Sequence, residues 1–176
     1  MSDMERELFI DGAWRPAAQA RRVAINDPAT GELVGSSALA DCKDVDIAVA
    51  AAALALPLWS GTHPDERAKI LHRAADLIAE RVETIAHLLT REQGKPIPDA
   101  KKEILFGVEV IRWYAEEGRR LGGSIRPASR ADIRNLVMTA PVGVVAGIVP
   151  WNYPGTSMTH EMKRTMSAGH RTFPTK

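Results

Sequence analysis

The chain has 176 residues, which is enough for one ordinary globular domain. Apolar residues make up 45% and charged residues 26%, and this balance excludes an intrinsically disordered chain. The 23 basic and 22 acidic side chains are well mixed, so nothing predicts binding to nucleic acid or to an anionic membrane. The one cysteine, Cys42, cannot form an internal disulfide, and no Cys/His cluster has metal-ligand spacing, so we expect no metal site.

The start of the chain is acidic and is not followed by a long apolar run, so it does not resemble a signal peptide. The longest apolar stretch near the end, Val142–Val149, is far shorter than the roughly 20 residues that a membrane-spanning helix needs. We therefore expect a soluble, cytoplasmic protein that has no membrane contact.

Short strands open the chain. Leu8–Ile10 and Ala13–Arg15 flank Asp11-Gly12, and Asp-Gly between two such runs predicts a hairpin arm over residues 8–15. The segment Asn26–Gly31 has the proline and glycine of a turn, and Leu33–Ala38 follows as a further strand.

Helices are predicted over residues 42–121. Asp41 is the expected N-cap of the first helix, which should end at Pro57 and Gly61, and Thr62 should cap the second. Apolar residues then recur at helical spacing in three further stripes, of which the last runs from Asp99 to Leu121. The stripe of the second helix is Ile70, Leu71, Ala74, Leu77 and Ile78; that of the last is Ile104, Val108, Ile111 and Ala115, with Glu103 off the buried face.

Strands are expected again over residues 135–149. Asn135–Thr139 is the first, and Val142–Val149 is the second and is apolar on both faces, as a buried parallel sheet requires. The predicted fold class is therefore α/β, with an N-terminal hairpin arm and a helical block that lead into the first strand of a Rossmann-like parallel sheet.

Several motifs in this order resemble the aldehyde dehydrogenase family, and Pro141–Pro154, with its Pro-Trp-Asn after an apolar strand, carries the resemblance furthest. The other matching segments are Asn26–Glu32, Asp44–Ala53 with Trp59, Glu66-Arg67, Leu71–Arg81, Glu92–Pro96 and Trp113–Glu116. The resemblance implies an incomplete aldehyde dehydrogenase fold: residues 1–154 form the N-terminal part of the dehydrogenase domain, and residues 155–176 form a divergent, truncated tail.

The resemblance also implies a site at the end of the apolar strand. Ligands of open α/β sheets bind beyond the carboxyl ends of strands, and Asn152 stands there with a neutral amide that can donate to an oxyanion. In the family, the matching asparagine polarises the aldehyde carbonyl and holds the tetrahedral thiohemiacetal. The residues that match the family's contacts to the nicotinamide cofactor, NAD or NADP, are Ile148, Val149, Pro150 and Trp151.

The implied function is oxidation of a small-molecule aldehyde to a carboxylic acid by NAD(P)⁺, in a family whose members are commonly homo-oligomers. Beyond Pro154 the sequence departs from the family, and the chain stops before the family's general-base glutamate and nucleophilic cysteine. Cys42 does not match the nucleophile and is interpreted as structural, and Glu92–Lys95 is interpreted as a helix end rather than a site. We therefore expect a truncated fragment that is inactive alone, with few or no sheet partners for Val142–Val149 and a tendency to aggregate.

Two other functions stay open. The chain could be a non-catalytic interaction module that binds a full-length homologue through its helical block. It could also be a minimal dinucleotide-binding protein, although no glycine-rich phosphate loop follows the Val142 strand.

Overall fold

The computed structural model of this protein describes residues 4–157, and residues 171–175 as backbone. The middle of the predicted tail, residues 158–170, and Lys176 lie outside the described residues. The fold is mixed α/β, with a helical block at its centre and small sheets around it.

Five short strands open the chain: β1 (Met4–Arg6), β2 (Leu8–Ile10), β3 (Ala13–Arg15), β4 (Arg22–Asn26) and β5 (Leu33–Ala38). The strands β2 and β3 pair in antiparallel fashion, and the φ angles of Asp11 (54°) and Gly12 (75°) are both positive, as the tight turn needs. This hairpin and the strand over Leu33–Ala38 confirm the prediction. The strands β1, β5 and β4 form a separate sheet in that order, with β1 parallel to β5 and β4 antiparallel to it.

The first helix, α1 (Cys42–Gly61), begins as predicted at Asp41, whose side chain accepts hydrogen bonds from the Lys43 and Asp44 amides. Its predicted end at Gly61 is confirmed, but Pro57 does not stop it, because the helix continues through this proline. The second helix, α2 (Pro64–Glu80), is capped by His63 rather than Thr62. Thr62 instead closes the end of α1, where its hydroxyl donates to the Leu58 carbonyl at 2.8 Å.

Two further helices complete the block. α3 (Val82–Gln93) ends at Gly94, whose φ of 73° is the left-handed conformation that favours glycine at a helix end. α4 (Ile97–Glu117) starts two residues before the predicted Asp99, and a short 3₁₀ turn, Gly118–Arg120, continues it.

The core lies where α4 packs between its two neighbours. Against α2 it buries the cluster Ala68, Leu71, Ala75, Val108, Ile111 and Ala115, and against α3 it buries Ala86, Leu89, Ala100 and Ile104. The predicted stripe of α4 is confirmed. The stripe of α2 is partly wrong, because Ala75 is fully buried and Ile70 is half exposed.

Four strands follow: β6 (Ser124–Pro127), β7 (Arg134–Val137), β8 (Val144–Ile148) and β9 (Arg171–Thr175). β6, which the sequence pattern did not predict, pairs antiparallel with β7 in an exposed ribbon. β8 pairs in parallel with β9, from Val144 beside Arg171 to Ile148 beside Thr175. Among the described residues β8 thus has one partner strand, which agrees with the expectation of few or no partners.

One feature of α1 was missed from the sequence. The helix is long and apolar enough to cross a membrane by length and composition, with a mean hydropathy of 1.4 over its best window. This is weak evidence for a membrane span, because core helices of soluble proteins meet the same criteria. Alanine contributes much of the apolar character, and the larger side chains Leu54 and Leu58 are exposed.

Candidate functional site

The residues that the sequence singled out lie together at the carboxyl end of β8. Ile148 ends the strand and is 85% exposed, and Trp151 is 82% exposed in the turn that follows. Val149 is half-buried, whereas Pro150 and Asn152 are exposed. The parallel pairing of β8 with β9 makes this the edge of the sheet where ligands of α/β folds bind.

The chain leaves the strand and turns sharply over Trp151–Thr156, which we call the site turn. Pro150 lacks an amide hydrogen and cannot extend the strand's hydrogen-bond ladder. A helical turn then begins at Pro154, and its first hydrogen bond runs from the Ser157 amide to the Tyr153 carbonyl at 2.8 Å. Asn152 is therefore held between the end of a strand and the start of a helical turn.

The end of α3 contacts the backbone of this turn. The side-chain amide of Gln93 donates a hydrogen bond to the Trp151 carbonyl. Lys95 Nζ donates to the Asn152 carbonyl at 3.2 Å and lies 4.2 Å from the centre of the Tyr153 ring, within range of a cation–π interaction. The left-handed Gly94 between them turns the chain out of α3.

Glu103 on α4 also contacts the same turn. Its Oε1 accepts hydrogen bonds from the backbone amides of Gly155 at 2.9 Å and Thr156 at 3.4 Å, and its carbonyl accepts from the Thr156 hydroxyl at 3.3 Å. Its Oε2 forms an ion pair with Lys95. The Glu103 side chain is 2% exposed, so both carboxylate oxygens are satisfied inside the protein.

An open cleft of about 840 Å³ lies between the helical block and the site turn. Gln93, Lys95, Glu103 and Phe106 line one side, and Trp151 and Asn152 line the other. The cleft therefore combines an apolar wall with charged and amide groups. Among residues 4–157, no three His, Cys, Asp or Glu side chains are grouped so that they could hold a metal ion.

The contact of Glu103 with the site turn was not predicted from the sequence. For Glu92–Lys95, the sequence predicted the helix end but not the contacts with the site turn. This segment ends α3 as predicted, and its Gln93 and Lys95 reach the site turn. Glu103 was assigned to the solvated side of α4, yet it is buried. Cys42 is exposed and unpaired at the start of α1, away from the residues that line the cleft.

Comparison with known proteins gives the family of this chain. The sequence model of the aldehyde dehydrogenase family matches residues 14–172, so the match continues beyond Pro154. The chain belongs to the aldehyde dehydrogenase family.

Individual relatives show how much of a family member is present. Glutarate-semialdehyde dehydrogenase of Pseudomonas aeruginosa is 37% identical over 93% of this chain and 34% of its own length. The NADP⁺-dependent succinate-semialdehyde dehydrogenase of Escherichia coli is 37% identical over the same shares. A crystal structure of an NADP-dependent enzyme from Escherichia coli superposes with a TM-score of 0.93 at 36% identity, over 96% of this chain and 35% of that structure. The chain thus spans about a third of the length of the relatives that it matches.

Proposed function

We propose that this chain forms the oxyanion side of the active site of an NAD(P)-dependent aldehyde dehydrogenase, with Asn152 as the catalytic residue. The observation that carries the proposal is the position of Asn152, exposed in a turn that directly follows the carboxyl end of a parallel strand. The helical block holds the carbonyl of this residue through Lys95. A donor that is fixed before the reaction stabilises a developing negative charge without the cost of reorganisation.

The chemistry assigned to Asn152 is electrostatic. When a nucleophile adds to an aldehyde, the carbonyl oxygen gains negative charge, and a neutral amide N–H can donate a hydrogen bond to it. Removing one such donor typically lowers the rate constant by about 10²- to 10³-fold. An amide is suited to this role because it takes no part in proton transfer and keeps its donors at any pH near neutrality.

The cofactor proposed for the complete site is NAD or NADP, which would accept the hydride from the aldehyde carbon. Ile148, Val149, Pro150 and Trp151 would form the wall against its nicotinamide ring. These residues fit a flat ring, because Ile148 and Trp151 present exposed apolar surface at the sheet edge where dinucleotides bind. The succinate-semialdehyde dehydrogenase of Escherichia coli is NADP⁺-dependent, which supports NADP as one of the two cofactors to test.

This chain supplies only part of the proposed reaction. Oxidation of an aldehyde also needs a nucleophile and a base that activates water, and the family's cysteine and glutamate for these roles match no residue here. We therefore propose that the chain alone does not oxidise aldehydes, and that activity requires the segment that makes up the other two thirds of the relatives.

A chimera tests this proposal. Residues 1–154 of this chain replace the matching segment of the Pseudomonas aeruginosa glutarate-semialdehyde dehydrogenase, and NAD(P)H formation is followed with glutarate semialdehyde and with succinate semialdehyde. We expect aldehyde-dependent reduction of the cofactor by the chimera and none by the 176-residue chain. A folded chimera that reduces no cofactor with either aldehyde would contradict the proposal.

A second candidate function is an interaction module that binds a full-length homologue. The observation in its favour is apolar surface at large exposed side chains, with Leu54 and Leu58 on α1 at 83% and 80% exposure and Ile148 on β8 at 85%. In such a complex, the chain of the full-length homologue would cover these exposed side chains. Co-expression with such a homologue separates the two candidates: stable co-purification that L54E/L58E abolishes supports binding, and no co-purification rejects it.

A further inference from the structure

The strongest unassigned feature is the buried ion pair beneath the site turn. The side chains of Lys95 and Glu103 are 18% and 2% exposed. Burial of two charges is costly unless each finds partners, and a pair of this kind adds little to stability compared with apolar residues of similar size. A contribution to stability therefore does not account for the presence of this ion pair.

Both charged groups contact the site turn in addition to each other. The two carboxylate oxygens of Glu103 have different partners. Oε2 forms the ion pair with Lys95, and Oε1 accepts a hydrogen bond from the Gly155 amide at 2.9 Å. Lys95 also has two sets of contacts, because its Nζ donates to the Asn152 carbonyl at 3.2 Å while it pairs with Glu103. The same ion pair thus binds the turn at Asn152 and again at Gly155.

The packing at Gly155 supports this interpretation independently of the hydrogen bonds. A Cβ atom added to Gly155 would lie 3.2 Å from Glu103 Oε1, which is tighter than nine in ten contacts of real Cβ atoms. A residue without a side chain therefore allows the backbone to approach the buried carboxylate closely enough for the amide to donate.

We propose that Lys95 and Glu103 are positioning residues, which act through the backbone of the site turn to fix the direction of the Asn152 side-chain amide. The catalytic consequence of this positioning rests on the function proposed above. The positioning itself does not depend on that function, because it is a property of the turn and can be measured without any substrate.

The experiment compares two double variants of the full 176-residue chain. K95M/E103Q and K95M/E103L both remove the buried charges, but only glutamine keeps a side-chain oxygen that can accept the Gly155 amide. ¹⁵N NMR gives the exchange rate of the Gly155 amide and the resonances of the Asn152 side-chain amide, and thermal melting reports global stability. The control, E83Q/K101M, removes the ion pair between the exposed Glu83 and the half-buried Lys101, whose atoms lie 2.6 Å apart elsewhere on the helical block.

We expect exchange of the Gly155 amide to be at least about tenfold faster in K95M/E103L than in K95M/E103Q, because a lost hydrogen bond releases the amide locally. We also expect the Asn152 side-chain resonances to shift in both double variants, because both lose the Lys95 contact to the Asn152 carbonyl, with the larger shift in the leucine variant and none in the control. A purely structural role would change the melting temperature without this local difference between the two variants.

Equal exchange rates and unchanged Asn152 resonances in both double variants would overturn the proposal. If K95M/E103L does not fold, Glu103→Asp replaces it, because the shorter carboxylate keeps the charge but is withdrawn from the Gly155 amide, and the same two signals decide. An inactive chimera combined with the expected NMR difference would remove the proposed function and leave the positioning intact. An active chimera without the NMR difference would remove the positioning role and leave the proposed function intact.

Discussion

The carboxylate of Asp44 on α1 accepts the backbone amide of Ala18, at 3.1 Å to Oδ1 and 3.2 Å to Oδ2. The same side chain accepts the Asp41 amide at 3.0 Å and completes the reciprocal cap at the start of the helix. One buried carboxylate therefore joins the loop after β3 to the first turn of α1. These hydrogen bonds link the N-terminal segment to the helical block.

We expect Asp44→Ala to destabilise the chain by about 1–3 kcal/mol, because three amide contacts to the carboxylate are lost and the helix loses part of its cap. Urea denaturation measures the change in free energy of unfolding. Asp46→Ala, an exposed position on the same helix, is the matched control and should cost less than about 1 kcal/mol. Equal losses for the two variants would show that the Asp44 contacts contribute nothing specific.

A second prediction concerns pH and the contact between α2 and α4. His72 Nε2 lies 2.8 Å from Glu116 Oε1, and this hydrogen bond, followed by attraction to Arg119, holds the pKa of Glu116 below its ordinary value of 4.5. Because the folded-state pKa is the lower one, the contribution to stability is present above pH 4.5 and is lost as the pH falls through the folded-state pKa.

Glu116→Gln should therefore reduce the dependence of unfolding free energy on pH in the acidic range below 4.5. Denaturant titrations at a series of pH values measure this slope. Glu83→Gln, which removes a carboxylate from the α3 side of the block, serves as the control for the loss of one negative charge. The assignment is wrong if Glu116→Gln leaves the acidic slope at its wild-type value.

The register of α2 gives a third prediction. Ala75 is fully buried against α4, whereas Ala74, which the sequence pattern placed in the apolar stripe, is only partly buried. Ala75→Leu should cost about 1–3 kcal/mol because the added atoms have no space between the helices. Ala74→Leu should cost clearly less in the same thermal or urea titration. The reverse order would mean that α2 packs through the face that the sequence pattern indicated.

Local signals accounted for much of this fold. The Asp-Gly hairpin, the Asp41 cap and the glycine at the end of α3 each depend on a few neighbouring residues, and the structure has all three. Pro57 was misread because a single proline can remain within a helix at the loss of one backbone hydrogen bond. β6 was missed because it has only four residues, with Ile125 as its one large apolar side chain, and it ends at Pro127.

The candidate site was only partly predictable for a different reason. The position of Asn152 after an apolar strand is visible in the sequence, because strand and turn are adjacent along the chain. The contact of Glu103 with Gly155 joins residues 52 positions apart, and a charged residue on a helix gives no local sign that it is buried. Tertiary partners decide whether such a residue is solvated or enclosed, so its role became apparent only in the structure.

The central claim is that Asn152 stabilises the oxyanion of the reaction. The most direct measurement is kcat/KM of the chimera carrying residues 1–154, with and without Asn152→Ala, using glutarate semialdehyde as the aldehyde. Asn135→Ala, at an exposed position in β7, is the matched control. We predict that Asn152→Ala lowers kcat/KM by about 10²- to 10³-fold while Asn135→Ala leaves it within about twofold. An Asn152→Ala chimera as active as its parent would contradict the account.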